Sequence, residues 1–298
     1  MVYHVPALLD ESINGLNIRP TGIYVDVTFG GGGHSRKILE KLTTGRLIAF
    51  DQDEDAAGNV IDDGRFTFLG QNFRFLKNNL QYLGIARVDG ILADLGVSFH
   101  QFDEPSRGFT FRHDTDLDMR MSRNSAIKAS DLLGSLEEEK LAEIFFRYGE
   151  MNNSRKIARL IVKSRISGPV KTVNGLTEIL RTLVPRGQEN KFYAKLFQAL
   201  RIAVNHELDY LKEMLLQSLD VLESGGRLVV LTYHSLEDRI VKDFMRTGNF
   251  RGEEEKDFYG NVITPFRLIS RKAITPAEEE IMTNSRSRSA KLRIAEKI

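Results

Sequence analysis

Four consecutive glycines, Gly30 to Gly33, stand between an apolar strand pattern that contains Asp26 and a helix pattern that opens at His34 and Ser35. Each glycine costs conformational entropy on ordering and has no side chain to bury, so the run implies that something comes close to the backbone. Free N–H groups at the start of the following helix favour an anionic end of that ligand. A nucleoside triphosphate needs a lysine followed by Ser or Thr after such glycines, whereas here His34 and Ser35 follow. A dinucleotide needs Gly-x-Gly-x-x-Gly. Counted from Gly30 the third glycine falls on Ser35, and counted from Gly31 it falls on Arg36. The third class is S-adenosylmethionine, which carries a carboxylate rather than a phosphate and is served by an acid on the first strand, here Asp26. Asp51, eighteen residues after Gly33, ends the next strand pattern and can accept from both ribose hydroxyls. It suits a nicotinamide cofactor and S-adenosylmethionine equally, and a solvated turn acid fits the same position.

The elements that must carry these residues alternate over the first hundred positions. Strand patterns at 22–29, 45–51, 65–70 and 88–97 are separated by helical patterns at 34–42, 54–61 and 73–84, the second short and weakened by Gly58. Phe73, Leu76, Leu80 and Leu83 share one face of the third, with Gly84 placed as its C-terminal cap. Such units predict a doubly wound α/β fold, a parallel sheet with helices on both faces. Ligands then bind beyond the carboxyl ends of the strands. After Ser98 the rhythm stops in a polar, charge-rich stretch at 100–121, and helical signals take over. Ser135 and Glu138 have capping-box spacing before 138–149, and 154–165 follows. A long pattern then runs from Phe192 to Glu223, stopped by Ser224, Gly225 and Gly226. A strand at 226–234, a helix at 235–245 and a helix start at Thr275, Pro276 and Glu278 complete the chain. The predicted organisation is a discontinuous α/β domain, 1–103 and 206–298, interrupted by an all-helical insertion at 104–205.

The chain has 298 residues, 41% of them apolar, no cysteine and a formal net charge of only +1. No disulfide framework or thiolate metal site is available, and His34 has no second histidine at metal-ligand spacing. No stretch reaches the ~20 apolar residues that span a bilayer, and the first residues do not resemble a signal peptide, so a cytoplasmic protein is expected. The charge is unevenly spread. Between Met151 and Arg201 eleven lysines and arginines face two acids, Glu178 and Glu189, a net +9. That asymmetry points to an anionic partner for the insertion. Arg155, Arg159 and Lys163 recur every four residues and form one stripe, with Ile157, Leu160 and Ile161 turned inward. A stripe of this kind suits phosphates without reading sequence.

Several stretches together resemble the bacterial 16S ribosomal RNA cytosine-N4 methyltransferases: 4–11 (HVPALLDE), 28–35 (TFGGGGHS), 89–98 (DGILADLGVS), 107–111 (RGFTF), 117–121 (LDMRM), 197–208 (FQALRIAVNHEL), 225–242 (GGRLVVLTYHSLEDRIVK) and 285–297 (SRSRSAKLRIAEK). They lie in family order over essentially the whole chain. The resemblance implies a Rossmann-like methyltransferase domain with a helical insertion after the fourth strand, S-adenosylmethionine as cofactor, and methylation of a decoding-centre cytidine. The partner it implies is 16S ribosomal RNA or the small ribosomal subunit. Its cofactor contacts map onto Gly32, Gly33 and His34 of the loop, Asp51 for the ribose, Phe73 beyond the third strand, Asp94 at the end of the fourth, and Gln101. Before Gln101, Phe99 and His100 stand where family members often carry Ser-Pro.

Methyl transfer to cytosine N4 needs the amine held in line with the methyl carbon and a group that takes its proton. Asp94, expected beside the methyl position, is the candidate acceptor. His234, ending the next strand, faces the same crevice as a base contact or proton acceptor, and a purely structural histidine fits there too. A base must leave its stack to reach such a pocket, least expensively in unpaired RNA. Two other readings remain open at this level. A nicotinamide oxidoreductase has the same architecture but lacks the glycine spacing and has no use for a basic insertion. A non-catalytic RNA-binding assembly factor would not need Asp51 and Asp94.

Overall fold

The computed structural model describes residues 6–298, so His4 and Val5 of the 4–11 stretch lie outside the described residues. In chain order, helix α1 (Leu9–Leu16) precedes β1 (Ile23–Asp26), α2 (Gly33–Lys41), β2 (Arg46–Phe50), β3 (Phe66–Leu69), α3 (Leu76–Tyr82) and β4 (Val88–Asp94). Six helices follow: α4 (Phe99–Asp103), α5 (Ala129–Ser135), α6 (Glu138–Arg147), α7 (Ser154–Ser164), α8 (Val173–Leu180) and α9 (Glu189–Asn205). After α10 (Glu207–Val221) come β5 (Leu222–Thr232), α11 (Ser235–Thr247), β6 (Glu255–Lys256), β7 (Val262–Ile263), β8 (Phe266–Leu268), α12 (Glu278–Thr283) and β9 (Lys291–Lys297). The chain forms two compact units, one from the residues up to Gly96 with Leu208–Ile298, the other Val97–Glu207.

The first unit is built on a seven-stranded sheet in the order β3-β2-β1-β4-β5-β9-β8. Strands β1 to β5 pair in parallel, and β9 runs antiparallel between β5 and β8. Successive strand residues point to opposite faces, and both faces are covered. Val25, Ile48, Ile91, Leu228 and Val230 enter one core with Leu76 and Leu80 of α3. Tyr24, Leu47, Leu92, Val229 and Leu231 enter another with Ile38 and Leu39 of α2 and Leu16 of α1. The near-continuous apolar strands of the sequence are therefore strands buried on both sides. Chain order reverses between β1 and β4, which puts the switch point, and the crevice beyond it, at the ends marked by Asp26 and Asp94.

The second unit holds helices α4 to α9 around its own core, including Leu141, Phe145, Ile157, Ile161, Leu176, Leu196 and Leu200. Here the polar stretch after Ser98 is not a loose connection. Arg107, 3% exposed, donates through Nη2 to the carbonyls of Arg120 and Met121. Asn205, near the end of α9, accepts from the Met121 N–H at 2.7 Å and donates to the Met119 carbonyl at 2.7 Å. Met119 is buried in a left-handed conformation (φ 61°), so this network holds a strained backbone in place. The stretches 107–111, 117–121 and 197–208 are thus one buried polar assembly. The contacts of α4 also place it in this unit, which begins seven positions before the expected 104.

Two local expectations differ from the structure. Ser135 does not cap the helix that follows it. It ends α5, where its hydroxyl donates back to the Asp131 carbonyl at 2.7 Å, and α6 starts after Glu137. Hydroxyls at helix ends have this local alternative, which a spacing rule does not see. The pattern from Phe192 to Glu223 is two helices, because His206 takes a left-handed conformation (φ 51°) between α9 and α10. Both helices keep apolar faces, so hydrophobic periodicity runs through the break.

Candidate active site

The glycine turn sits at the carboxyl end of β1, over a tilted aromatic cluster in which Phe29 lies 5.4 Å from Phe66 and 5.3 Å from Phe68. Gly30 has φ 50°, and a Cβ there would meet nothing within 4 Å, so space lies open above the turn. Gly32 (φ 74°) precedes the first residue of α2, and a side chain on it would strike the Phe29 ring. Gly33 has a different reason for being glycine. A Cβ at Gly33 would lie 2.4 Å from Pro6 Cγ, so this position makes room for the chain's own N-terminal segment. Gly33→Ala is therefore expected to cost about 1–3 kcal/mol through overpacking. It should appear as a lowered melting temperature before any ligand is added.

Three carboxylates end three adjacent strands. Asp26, 1% exposed, is absorbed by the fold: Ser35 Oγ donates to Oδ2 at 2.7 Å and the Thr28 N–H donates to Oδ1 at 3.1 Å, tying β1 to α2. Burial pushes its carboxyl up to about 6. Asp51, just beyond β2, accepts from the Gly30 N–H at 2.7 Å and the Asp53 N–H at 2.9 Å, and burial raises it to about 6. The proposed ribose acid thereby also holds the first glycine of the turn. Asp94 ends β4, where its N–H donates to Thr28 Oγ1 at 2.6 Å. Burial raises its carboxyl to about 7, against the pull of a hydrogen bond from Tyr233. The neighbouring charges of Asp26 and Glu237 push in the same direction as burial.

Tyr233 is the residue that sequence reasoning missed. Its hydroxyl donates to Asp94 Oδ1 at 2.8 Å across 139 positions of chain. The available signal was a phenol directly after the strand end, next to the histidine that drew attention. His34 lies on α2, buried, with Nδ1 3.8 Å from Asp94 Oδ2, and burial pushes its imidazole down to about 4. It therefore stands beside Asp94 as a neutral ring at neutral pH.

His234 has a structural task. It is the N-cap of α11, with Nδ1 accepting from the Glu237 N–H at 3.4 Å and Nε2 3.1 Å from Glu237 Oε1. Glu237, 2% exposed, also accepts from the Tyr233 N–H through Oε2 at 3.1 Å. His234→Ala should lower stability by about 1 kcal/mol, as loss of a cap does, with His234→Asn close to wild type in thermal melts. Unchanged melting of His234→Ala together with lost turnover would instead make it a chemical group.

The remaining site candidates divide between the two units. Phe73 opens the turn before α3, half-buried against the core that holds Leu76 and Leu80, with the Asn72 side chain capping that turn. Gln101, in the second unit, is buried on α4, where its Oε1 accepts from the Ser98 N–H at 3.2 Å in a capping box. On α7, also in the second unit, Ile157 and Ile161 are fully buried and Leu160 half-buried. Arg155, Arg159 and Lys163 are all exposed. Arg159 Nε lies 3.3 Å from Glu138 Oε1 on α6.

Residues 1–298 match the MraW methylase family. The chain is 57% identical over 296 residues to a protein of Bacteroides fragilis named ribosomal RNA small subunit methyltransferase H, covering 99% of this chain and 97% of that one. The protein of the same name from Bacteroides thetaiotaomicron is 57% identical over 298 residues, 100% of this chain and 98% of its own. That of Flavobacterium johnsoniae is 54% identical over 299 residues, 100% and 99%.

Proposed function

Because the chain belongs to the MraW methylase family, we propose that it transfers a methyl group from S-adenosylmethionine to N4 of a decoding-centre cytidine in 16S ribosomal RNA. Its place of action is the cytoplasm, its substrate the RNA or the small subunit that contains it. Among the described residues no helix is long and apolar enough to cross a membrane. Family membership also sets aside the nicotinamide reading that Asp51 left open.

The observation that carries the reaction is Asp94, a carboxyl raised to about 7 by burial at the switch point of the sheet and held by Tyr233. When bound, S-adenosylmethionine supplies an electrophilic methyl group on a sulfonium. The residues present suit it: open space above Gly30, a half-buried ribose acceptor in Asp51, and no lysine at the turn to demand a phosphate. Cytosine N4 is a poor nucleophile because its lone pair is delocalised into the ring. The ionised Asp94 carboxylate accepts a hydrogen bond from the amine, turns it for attack and takes the proton that methylation makes acidic. A base poised near neutral pH does this with little cost in either protonation state. The neutral His34 beside it places no competing cation near Asp94. The basic face of α7 holds the RNA by its phosphates.

Asp51 sets a pH dependence for cofactor binding. The ribose hydroxyls donate, and the ionised carboxylate accepts them at both oxygens and more strongly than the protonated acid, so its value of about 6 means that affinity rises with pH through that range. Calorimetric titration should give about 10-fold tighter binding at pH 7.5 than at pH 5, and Asp51→Asn should bind weakly with no such slope. The decisive experiment for the whole reading is mass spectrometry of 16S RNA and of small subunits treated with protein and cofactor. N4-methylcytidine at one position supports it; unmodified RNA from both substrates leaves only the assembly-factor reading.

A further inference from the structure

The segment between α11 and β8 takes no part in the site described above. It forms a small antiparallel hairpin, β6 against β7, with Glu255 opposite Ile263 and Lys256 opposite Val262. The hairpin leads into β8, whose Phe266 pairs with Lys297, next to the Arg227–Glu296 pair at the start of β5. It therefore leaves the sheet at the end opposite Asp94, roughly 17 Å of strand away.

Its tip displays two aromatic rings to solvent. Phe258 is 98% exposed and Tyr259 86%, their rings edge to face with centroids 5.7 Å apart. Val262 and Ile263 add apolar surface on the strand behind them. The display is held in shape. Asp257 Oδ1 accepts from the N–H groups of Tyr259 and Asn261 at 2.9 Å each, and its Oδ2 accepts from Asn261 Nδ2 at 3.0 Å. At the base, Asn249 Oδ1 accepts from the Arg251 and Glu253 N–H groups, while Arg246 Nη2 donates to the Gly252 carbonyl. A turn backbone fixed in advance loses little freedom on binding, and Phe or Tyr can each bury roughly 150–250 Å².

The charge around the rings states what they suit. Residues 253–263 carry Glu253, Glu254, Glu255 and Asp257 against Lys256, a net −3. At the base Arg246 Nη1 lies 2.9 Å from Glu254 Oε1 and Arg251 Nη1 3.6 Å from Glu253 Oε2, so the acids without such an arginine are Glu255 and Asp257, at the tip. Hydrogen bonds from Asn261 hold the Asp257 carboxyl below its usual range, so it stays ionised. The tip is thereby opposite in sign to the Met151–Arg201 segment. Guanidinium and ammonium groups suit both parts of the surface, stacking on the ring faces and pairing with Glu255 and Asp257.

We propose that the 253–263 hairpin is a docking finger for an arginine- and lysine-rich polypeptide, separate from the methyl-transfer site. The assignment stands on the hairpin alone and does not require the proposed reaction. The test uses the full chain, a fluorescein-labelled octa-arginine peptide and a labelled oligouridine RNA, both followed by anisotropy. The wild-type protein should bind the peptide. Phe258→Ala/Tyr259→Ala should weaken peptide binding about 10-fold, a hot-spot-sized loss for exposed aromatics, and leave RNA binding unchanged. Glu255→Gln, which leaves the Arg246–Glu254 and Arg251–Glu253 pairs at the base intact, should also weaken the peptide complex and flatten its salt dependence. Peptide affinity that survives the aromatic variant overturns the proposal. So does loss of RNA affinity instead, which would make the rings a base-stacking platform, or a drop in self-association, which would make them a contact between copies.

Discussion

With cofactor and RNA saturating, Asp94→Asn is expected to lower turnover by about 10²–10⁴-fold, the range that a positioned general base contributes. An amide can still accept from Tyr233 through its oxygen, and its backbone N–H still donates to Thr28, so the local fold should survive. It cannot take a proton. Stability provides the control, and its sign is opposite to that of activity. The native carboxyl titrates at about 7 while the unfolded one titrates near its ordinary value, so between those values the native state binds more protons. Its stabilising contribution is therefore complete at low pH and lost as pH rises through 7. Asparagine removes that loss, so at pH 8 the variant should melt no lower than wild type while being nearly inactive. The wild-type rate should fall tenfold per pH unit below about 7. Tyr233→Phe, which removes a hydrogen bond that holds the carboxyl down, should move this limb to higher pH. Near-normal turnover in Asp94→Asn would end the catalytic assignment.

The second large effect is expected from charge reversal on α7. Arg155→Glu/Arg159→Glu/Lys163→Glu should weaken RNA binding by more than about 100-fold at low salt and leave cofactor affinity intact. Each phosphate contact contributes about 0.7–0.9 to the slope of log affinity against log salt. Loss of three should flatten that slope by roughly 2–3. Arg159 is already within reach of Glu138, so of the single reversals Arg155 and Lys163 should cost more. Buried Ile157 and Ile161 anchor the helix beneath the stripe, so the variant should remain folded. Unchanged RNA affinity and slope would assign the basic face to solvation alone.

Much of the architecture was legible because its signals are local. The strand patterns containing Asp26, Asp51 and Asp94 reappear as β1, the residue after β2, and β4, and the basic stripe lies exposed on α7. Where local rules failed, a local competitor was present: the Ser135 hydroxyl had the Asp131 carbonyl within reach, and one left-handed residue, His206, divided a helix without disturbing its apolar period. The glycine turn was half legible. Its openness at Gly30 follows from composition, but the need for glycine at Gly33 comes from Pro6, a neighbour that no spacing within the turn announces.

Residue type and side-chain period are one-dimensional properties, and they were enough to establish the parallel sheet, the insertion, the strand-end acids and the charged helix. Partnership is not one-dimensional. Strand order placed β4 beside β5, and only then could Tyr233 reach Asp94 across 139 residues. Burial completed the site. A carboxylate in a sequence has its ordinary affinity for protons, and Asp94 reaches about 7 because the folded sheet takes water away from it.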